Sequence, residues 1–482
     1  MANNNSQNLL PTILVIFGAT GDLMRRKLAA SLFGLHEKGL LPKLFHVVGF
    51  SKQALTTEGF REMVRDMIGA KERAQKEKVE QFVTYFFYQQ GLFEQLEGYR
   101  KVANILGMRD NEWRVCSNKL FYIAASPQFY KTIFVNLDKS RLTEPCSPEE
   151  GWTRVLVEKP FGKDLKTAQD LDRLLGKLFQ EEQIYRIDHY LGKETVQNIL
   201  AFRFSNSFLQ DSWNKEGIKS IHIELFEKEG IKKRGGFYDG IGALRDVGQN
   251  HILQLLALFT MENPGTFDAK AIRKKRAEVL QALKIYRPRE IAKMTMRGQY
   301  KGYTKEKDVD PKSRTETYFL MKAYLGVPRW EGIPISMGSG KAMAEDRVEV
   351  RIRFRHPTPC LCPLRAEKHY RNVLHYRIQP NEGIDIMFWA KKPGPEMILE
   401  EKSFSFDYKK AFGEDSFADA YEKLLVSAFQ GDQTLFVSTE EIVASWKFID
   451  PILRAWQKNI VPLKRYKSNS AEIIKVPLPI DE

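Results

Sequence analysis

One five-residue run, Ile13-Leu14-Val15-Ile16-Phe17, followed at once by Gly18-Ala19-Thr20-Gly21-Asp22-Leu23, constrains the fold more than any other stretch of the chain. Five apolar residues without polar alternation suit a strand buried on both faces, as in a parallel sheet. The glycines break the run. Helical spacing then extends from Leu23 to Leu35 and stops at Gly39, and His46-Val47-Val48-Gly49-Phe50 forms a second apolar run. Strand, tight turn, helix and strand over this length make a βαβ unit. Further strand-like runs at Leu120–Ala124 and Arg154–Val157, the latter followed by a helical pattern over Leu165–Phe179, extend the unit into a doubly wound α/β domain. That domain is expected over residues 9–184.

The rest of the chain has another texture. Ile218–Phe226 alternates as a half-buried strand, Ala243–Met261 is a long apolar helix, and Val348–Phe354, His375–Gln379 and Ile384–Trp389 alternate again. This pattern predicts a larger α+β domain with a mainly antiparallel sheet over 185–482. Two domains also agree with 482 residues, too many for one ordinary core.

The net charge of +14 suits acidic partners such as phosphorylated metabolites, nucleotides or nucleic acid. The densest basic run, Arg273-Lys274-Lys275-Arg276, has helical surroundings and reads as a solvated helix face, so no nucleic acid is expected. No apolar run reaches the length of a membrane span, and no membrane partner is expected. Met1 to Asn8 lacks the charged and apolar regions of a signal peptide and reads as a frayed tail. Cys116, Cys146, Cys360 and Cys362 are few, and the C-x-C pair has only His356 nearby. They read as free thiols in a reducing compartment, with no metal site. A cytoplasmic location follows from that reading.

Four constellations carry chemistry. The Gly18–Leu23 turn lies between a buried strand and a helix, where a dinucleotide pyrophosphate meets exposed N–H groups without side chains in the way. After the second strand stands Ser51-Lys52-Gln53. An acidic residue there would hold a ribose 2′-hydroxyl; the cation of Lys52 suits a 2′-phosphate instead. Glu158-Lys159-Pro160-Phe161-Gly162 places a lysine at a strand's carboxyl end, facing the crevice where α/β sheets bind ligands. Arg186-Ile187-Asp188-His189-Tyr190-Leu191-Gly192-Lys193-Glu194 gathers His, Tyr and Lys before a helix, a set able to grip a phosphate dianion, with Asp188 available to orient a base. Finally, Asp246 and His251 interrupt an otherwise apolar helix. A proton-transfer role and a satisfied core histidine fit His251 equally well on this ground alone.

Taken together, these motifs resemble the glucose-6-phosphate dehydrogenase family. The R-I-D-H-Y-L-G-K-E stretch is highly specific to it. Gly242-Ala243-Leu244-Arg245-Asp246, Gln249-Asn250-His251, Arg329-Trp330-Glu331-Gly332, Ser339-Gly340-Lys341, Gln379-Pro380-Asn381-Glu382-Gly383 and Gly431–Phe436 agree with it in order and spacing from Ile13 to Tyr466. The resemblance implies a Rossmann domain joined to a large α+β domain whose sheet supports a homodimer or a dimer of dimers. It implies oxidation of C1 of glucose 6-phosphate with NADP as cofactor and no metal. It makes His251 the general base and Asp188 its hydrogen-bond partner. His189, Tyr190 and Lys193 would hold the sugar phosphate, and Glu227 and Asp246 the sugar hydroxyls. Lys341 and Gln379 would form the far wall, and Lys159 would lie between substrate and nicotinamide. Gly18, Thr20, Gly21, Asp22, Leu23, Lys27, Lys52 and Gln53 would serve the dinucleotide.

Two positions depart from the family pattern. Lys52 stands where arginine is usual, without the planar fork of a guanidinium. Asp346 stands where a second cation for the substrate is common, with Arg347 beside it. Strand alternation puts Arg347 on the face opposite Val348, Val350 and Ile352, so Arg347 is expected to point away from the site.

Overall fold

The computed structural model describes residues 10–69, 76–146, 150–359, 370–413 and 418–478. The expected N-terminal tail at Met1–Asn8 and the Cys360–Cys362 pair lie outside these residues.

The first apolar run forms β1 (Thr12–Phe17), whose residues Ile13 to Phe17 are all fully buried. It pairs in parallel with β2 (Phe45–Ser51) on one side, which in turn pairs with β3 (Phe86–Gln90). On its other side β1 pairs with β4 (Asn118–Ile123), followed outward by β5 (Thr153–Glu158) and β6 (Ile184–Ile187). The order 3-2-1-4-5-6 is that of a Rossmann sheet, and its reversal between β1 and β4 opens a crevice at their carboxyl ends. A late two-residue strand, counted in chain order as β15 (Phe436–Val437), closes the edge antiparallel to β6. The first sheet therefore takes its last strand from far along the chain.

The second sheet has nine strands. Running outward from its centre, β7 (Ile218–Phe226) pairs with β11 (Arg347–Phe354), β12 (Val373–Gln379), β13 (Gly383–Lys391) and β14 (Leu399–Asp407), all antiparallel. Its other neighbour is β10 (Ile335–Gly340), parallel to it, followed by β9 (Tyr318–Ala323), β8 (Thr295–Tyr300) and β16 (Leu463–Tyr466). Mainly antiparallel pairing and one helix-covered face make this the α+β part predicted from the sequence. One core cluster runs from Ile13 and Phe121 through Ile223 and Leu256 to Trp446, so the two sheets share a packed interior.

The structure corrects two expectations. Cys116 and Cys146 form a disulfide, with their Cα atoms 5.7 Å apart. The reason is topological: β4 and β5 are parallel neighbours, so the segments entering them start at the same end of the sheet. Among the described residues no cysteine is a free thiol, and the ground for inferring a reducing compartment is removed. The basic run is also only partly solvated. Arg273 and Arg276 turn inward from the helix Ala269–Gln281. Arg273 donates to Gln433 and Glu181. Arg276 pairs with the fully buried Glu441 at 2.9 Å and donates to the carbonyls of Thr434 and Phe436. Both arginines thus tie the segment carrying β15 to their own helix, and Arg273 also reaches Glu181 of the first domain. No helix among the described residues is long and apolar enough to cross a membrane.

Breaking a buried ion pair by removing one partner leaves an uncompensated charge. Arg276→Met should accordingly cost about 3–5 kcal/mol in chemical denaturation. Combining it with Glu441→Leu should recover most of the loss. Equal midpoints for the single variant and the wild type would contradict the role given to this pair.

Candidate active site

The crevice at the β1/β4 reversal opens into a cavity of about 1160 Å³, walled by both sheets and by the start of the helix Ala420–Gln430. The glycine turn forms its dinucleotide end. Gly18 has φ +89°, and a Cβ there would lie 2.5 Å from the carbonyl oxygen of Ala124. Gly21 N–H closes the turn on Gly18 O at 2.9 Å. Asp22 and Leu23 then lead a helix whose N-terminus faces the cavity. Thr20 meets Ser51 through their hydroxyls at 2.7 Å, which fixes the turn against the end of β2. Lys52 and Gln53 follow, exposed, with the Gln53 carbonyl held by Tyr88. They stand beside the turn and outside the cavity lining.

The centre of the cavity is built from three chain segments. Asp188 follows β6, Lys159 follows β5 and is joined to Pro160 by a cis bond, and His251 lies on the long helix of the second domain. Asp188 and His251 are 1% and 2% exposed. Nδ1 of His251 donates to Asp188 Oδ1 at 2.5 Å, an oxygen that also accepts from Tyr190 N–H at 3.0 Å. Nε2 of His251 faces the cavity and meets the Lys159 ammonium at 2.8 Å. Lys159 also donates to the Asp246 carbonyl at 2.8 Å.

A local irregularity places Asp246 and His251 together. The first part of the predicted helix, Leu244–Ile252, is π-helical, and only Leu253–Thr260 is α-helical. Residues five apart diverge by about 140° at 3.6 residues per turn. The wider i→i+5 turn brings them toward one face. Asp246 thereby stands 3.6 Å from both Lys159 and Lys341. Lys341 is further paired with Glu227.

His189, Tyr190 and Lys193 line the opposite side. The ring of Tyr190 stacks on His251 at 4.1 Å, and His189 meets the same imidazole edge-on at 4.7 Å. The Lys193 ammonium lies 5.1 Å from the Tyr190 ring and donates to Gln379 Oε1 at 2.5 Å. Lys27 lines the dinucleotide side, 3.4 Å from Asp419. Every residue proposed from the sequence for the substrate therefore converges on this one cavity. Asp188 stands immediately behind it.

Electrostatics favour a neutral imidazole. Burial pushes His251 below its ordinary value; Asp188 pulls it up and Lys159 pushes it down further. Burial raises the Asp188 carboxyl, but His251, His189 and Lys159 outweigh it and hold it down at about 2. Asp246 is likewise held at about 2, with Lys159 and Lys341 overcoming burial. The pair is thus a carboxylate and a neutral ring with its free nitrogen turned to the cavity. The ligand atoms of Asp188, His189 and His251 lie within 4.8 Å of one another, a spacing a metal could use. Both nitrogens of His251 are already engaged, however, one of them by an ammonium that repels a cation.

Several lining residues escaped sequence reasoning. Glu158, Asp419 and Tyr421 all face the cavity. Asp419 and Tyr421 arrive at the start of a helix more than 230 residues beyond β6, and no local pattern signals that return. Glu158 was visible in the motif but had no evident partner. Asp346 accepts from Lys228 N–H at 2.8 Å, and Arg347 pairs with Glu224, Glu345 and Glu349. Neither lines the cavity. Arg347 points away, as alternation predicted, with Val348 and Val350 buried on the other face.

Comparison with known proteins agrees with this architecture. Residues 15–198 match the family description "Glucose-6-phosphate dehydrogenase, NAD binding domain", and residues 200–475 match "Glucose-6-phosphate dehydrogenase, C-terminal domain". The glucose-6-phosphate 1-dehydrogenase of Chlamydia muridarum is 37% identical over 470 residues, covering 93% of this chain and 91% of that protein. That of Aggregatibacter actinomycetemcomitans is 39% identical over 450 residues, covering 91% and 90%. Among solved structures, a glucose-6-phosphate dehydrogenase in complex with its substrate glucose-6-phosphate superposes with a TM-score of 0.86 at 35% identity, covering 95% of each chain. The Mycobacterium avium enzyme superposes with a TM-score of 0.82 at 31% identity, again over 95% of each. The chain belongs to the glucose-6-phosphate dehydrogenase family.

The charges around His251 make a titration test. Nitrogen NMR of labelled His251 should show a neutral Nδ1–H tautomer at pH 7 and a midpoint below 6.5. Asp188→Asn removes a raising influence and should lower the midpoint further. Lys159→Ala removes a lowering one and should raise it. A wild-type midpoint above 6.5 would contradict the charge balance described.

Proposed function

We propose that this chain oxidises glucose 6-phosphate at C1 to the δ-lactone, with NADP as hydride acceptor and His251 as the general base. The observation that carries the reading is the cavity-facing Nε2 of a neutral His251 whose other nitrogen is bonded to a buried carboxylate. In that state the ring can take the proton of the C1 hydroxyl as the hydride departs. Asp188 fixes the tautomer and stabilises the imidazolium that forms, the orienting logic of a triad without its nucleophile.

Each neighbour then has a task. His189, Tyr190 and Lys193 present donors and positive charge on one wall and would hold the sugar phosphate, with Gln379 beside Lys193. Glu227 and Asp246 offer carboxylates to the sugar hydroxyls, and Lys341 sits between them. Lys159 keeps positive charge beside the reacting carbon and must release Nε2 when the hydroxyl arrives. The residues fit NADP: a side chain at Gly18 would collide with Ala124, so the turn is bare, and the helix after it starts at the cavity. Gly18, Thr20, Gly21, Asp22 and Leu23 would hold the pyrophosphate at this N-terminus. Lys27 would add a cation, and Lys52 with Gln53 would meet the 2′-phosphate. When bound, NADP supplies the carbon that accepts the hydride.

The division into 9–184 and 185–482 is part of this reading. Its support is the change from a parallel to an antiparallel sheet, although β6 carries the first sheet to Ile187. A homodimer, or a dimer of dimers, is proposed through the outer strand β14, where Phe404 is 67% exposed. A cytoplasmic location is proposed from the family alone.

His251→Asn should lower kcat by about 10²–10⁴-fold while leaving the KM for glucose 6-phosphate nearly unchanged, the range for loss of a general base. In steady-state assays following reduced nicotinamide, a variant with near-wild-type kcat would overturn the assignment. Free glucose should be a poor substrate for the wild type, and equal kcat/KM for glucose and its 6-phosphate would remove the role given to Lys193.

A further inference from the structure

Glu158 has no part in the scheme above, yet it is the residue directly before Lys159. Its carboxyl lines the cavity and accepts from the buried hydroxyl of Tyr122 at 2.6 Å. Tyr421 lines the cavity beside it and pulls the same carboxyl down. The main-chain carbonyl of Glu158 accepts from Tyr130 at 2.9 Å. Tyr122 belongs to β4, the strand beside β5, whereas Tyr421 opens the helix Ala420–Gln430. That helix also grips the first domain through Asp419 to Lys27 and through Glu422 to Lys38. The carboxylate is therefore the point where the end of β5 and the returning helix are bound together, one residue from the lysine that touches His251.

We infer that Glu158 is a positioning residue for the reaction, acting through Lys159: its ionised carboxylate, held by Tyr122 and Tyr421, fixes the lysine ammonium against His251 and clamps the returning helix over the cavity. The inference rests on the function proposed above. Its physical content is a charge balance. The ammonium of Lys159 stands 3.6 Å from Asp246, and it also attracts the Glu158 carboxylate. If Glu158 is neutral, one of the counter-charges on the ammonium is gone, leaving Asp246 and Asp188.

The same surroundings make Glu158 sensitive to pH. Burial raises its carboxyl, and Asp188 raises it further. Tyr122 on β4, the adjacent Lys159 and Tyr421 on the returning helix pull it down, and the result is about 7. Tyr130, bonded to the main-chain carbonyl of the same residue, also faces it. The carboxyl is thus part protonated near neutrality, and the clamp strengthens as pH rises through that value. Tyr122 donates to the charged form, and both tyrosines hold the carboxyl down. Losing either must raise it.

The test compares wild type, Glu158→Gln and Tyr421→Phe by the pH dependence of kcat/KM. Dividing variant by wild type cancels the titration of the substrate's own phosphate. Wild-type activity should rise through about 7, where the carboxyl ionises. Glu158→Gln should remove that inflection, keep the limb belonging to His251, and lower kcat by about 10–100-fold, the scale of a displacement of up to 1 Å. Tyr421→Phe should move the inflection to higher pH. A merely structural residue would alter melting temperature without moving either limb. A folded Glu158→Gln enzyme with the wild-type profile would overturn the inference, as would an inflection in Tyr421→Phe that stays put or moves down. If Glu158→Gln does not fold, Tyr421→Phe decides alone. If the wild type does not oxidise glucose 6-phosphate, the proposed function fails instead. Infrared difference spectra then still decide whether a carboxyl titrates near 7 and shifts up in Tyr421→Phe; absence of that band overturns the inference.

Discussion

The hydrogen bond from Nδ1 of His251 to Asp188, 2.5 Å long and shut away from water, sets the terms for everything around it. A buried carboxylate needs positive or hydrogen-bonding neighbours to remain charged. Asp188 finds them in His251, His189 and Lys159. A buried imidazole resists protonation, and here it keeps its Nε2 free to accept. The pair thus divides its charge as proton abstraction requires: fixed negative charge behind, neutral ring in front, and a lone pair toward the cavity that only Lys159 meets. Lys159 sets the limit of this arrangement. Its ammonium shares the lone pair and depresses the basicity of the ring, so where that ammonium sits governs how ready the base is.

The fold exists to hold these three groups together. Asp188 and Lys159 follow adjacent parallel strands, β6 and β5, and emerge at the same end of the sheet. His251 comes from the second domain and reaches them on a helix packed against the other sheet. Polar contacts help hold the two halves in register: Arg273 of the second donates to Glu181 of the first, and Arg186 on β6 donates to Thr439. Arg276 with Glu441 and Arg186 with Glu181 and Asp172 lock the segment that supplies β15. The returning helix adds Tyr421 and Asp419 to the wall. A shared core, not a hinge of exposed loops, joins the domains, which suits a site assembled from both.

What could be read from the sequence follows from how local each signal is. The Ile13–Phe17 run and the glycine turn specify a buried strand and a bare helix start within a dozen residues, and the structure has both. The Arg186–Glu194 stretch is equally local: its His, Tyr and Lys line one cavity, with its Asp directly behind. Period-2 alternation found β7, β11, β12 and β13. It passed over β8, β9 and β10, whose residues are buried on both faces or interrupted by glycine. The long helix at Ala243–Met261 was legible as a helix but not as π-helical, because its apolar pattern is continuous. That detail brings Asp246 near His251. Pairings across long distances left no mark at all. The Cys116–Cys146 bond, the burial of Arg273 and Arg276, and the contact of Tyr421 with Glu158 each depend on segments that meet only after the sheets have formed. On sequence physics alone, His251 was as good a core residue as a base. What separates the two is a carboxylate at one nitrogen and the cavity, with the Lys159 ammonium, at the other, and both are matters of tertiary geometry.

The account turns on what faces Nε2 of His251 when substrate is bound. A crystal structure with glucose 6-phosphate tests this directly. The account predicts the C1 hydroxyl oxygen within hydrogen-bond reach of Nε2, about 2.6–3.2 Å. It also predicts the Lys159 ammonium moved off that nitrogen and the phosphate against His189, Tyr190 and Lys193. A sugar bound with its C1 hydroxyl elsewhere, while Lys159 still occupies Nε2, would contradict the assignment of His251 as the base.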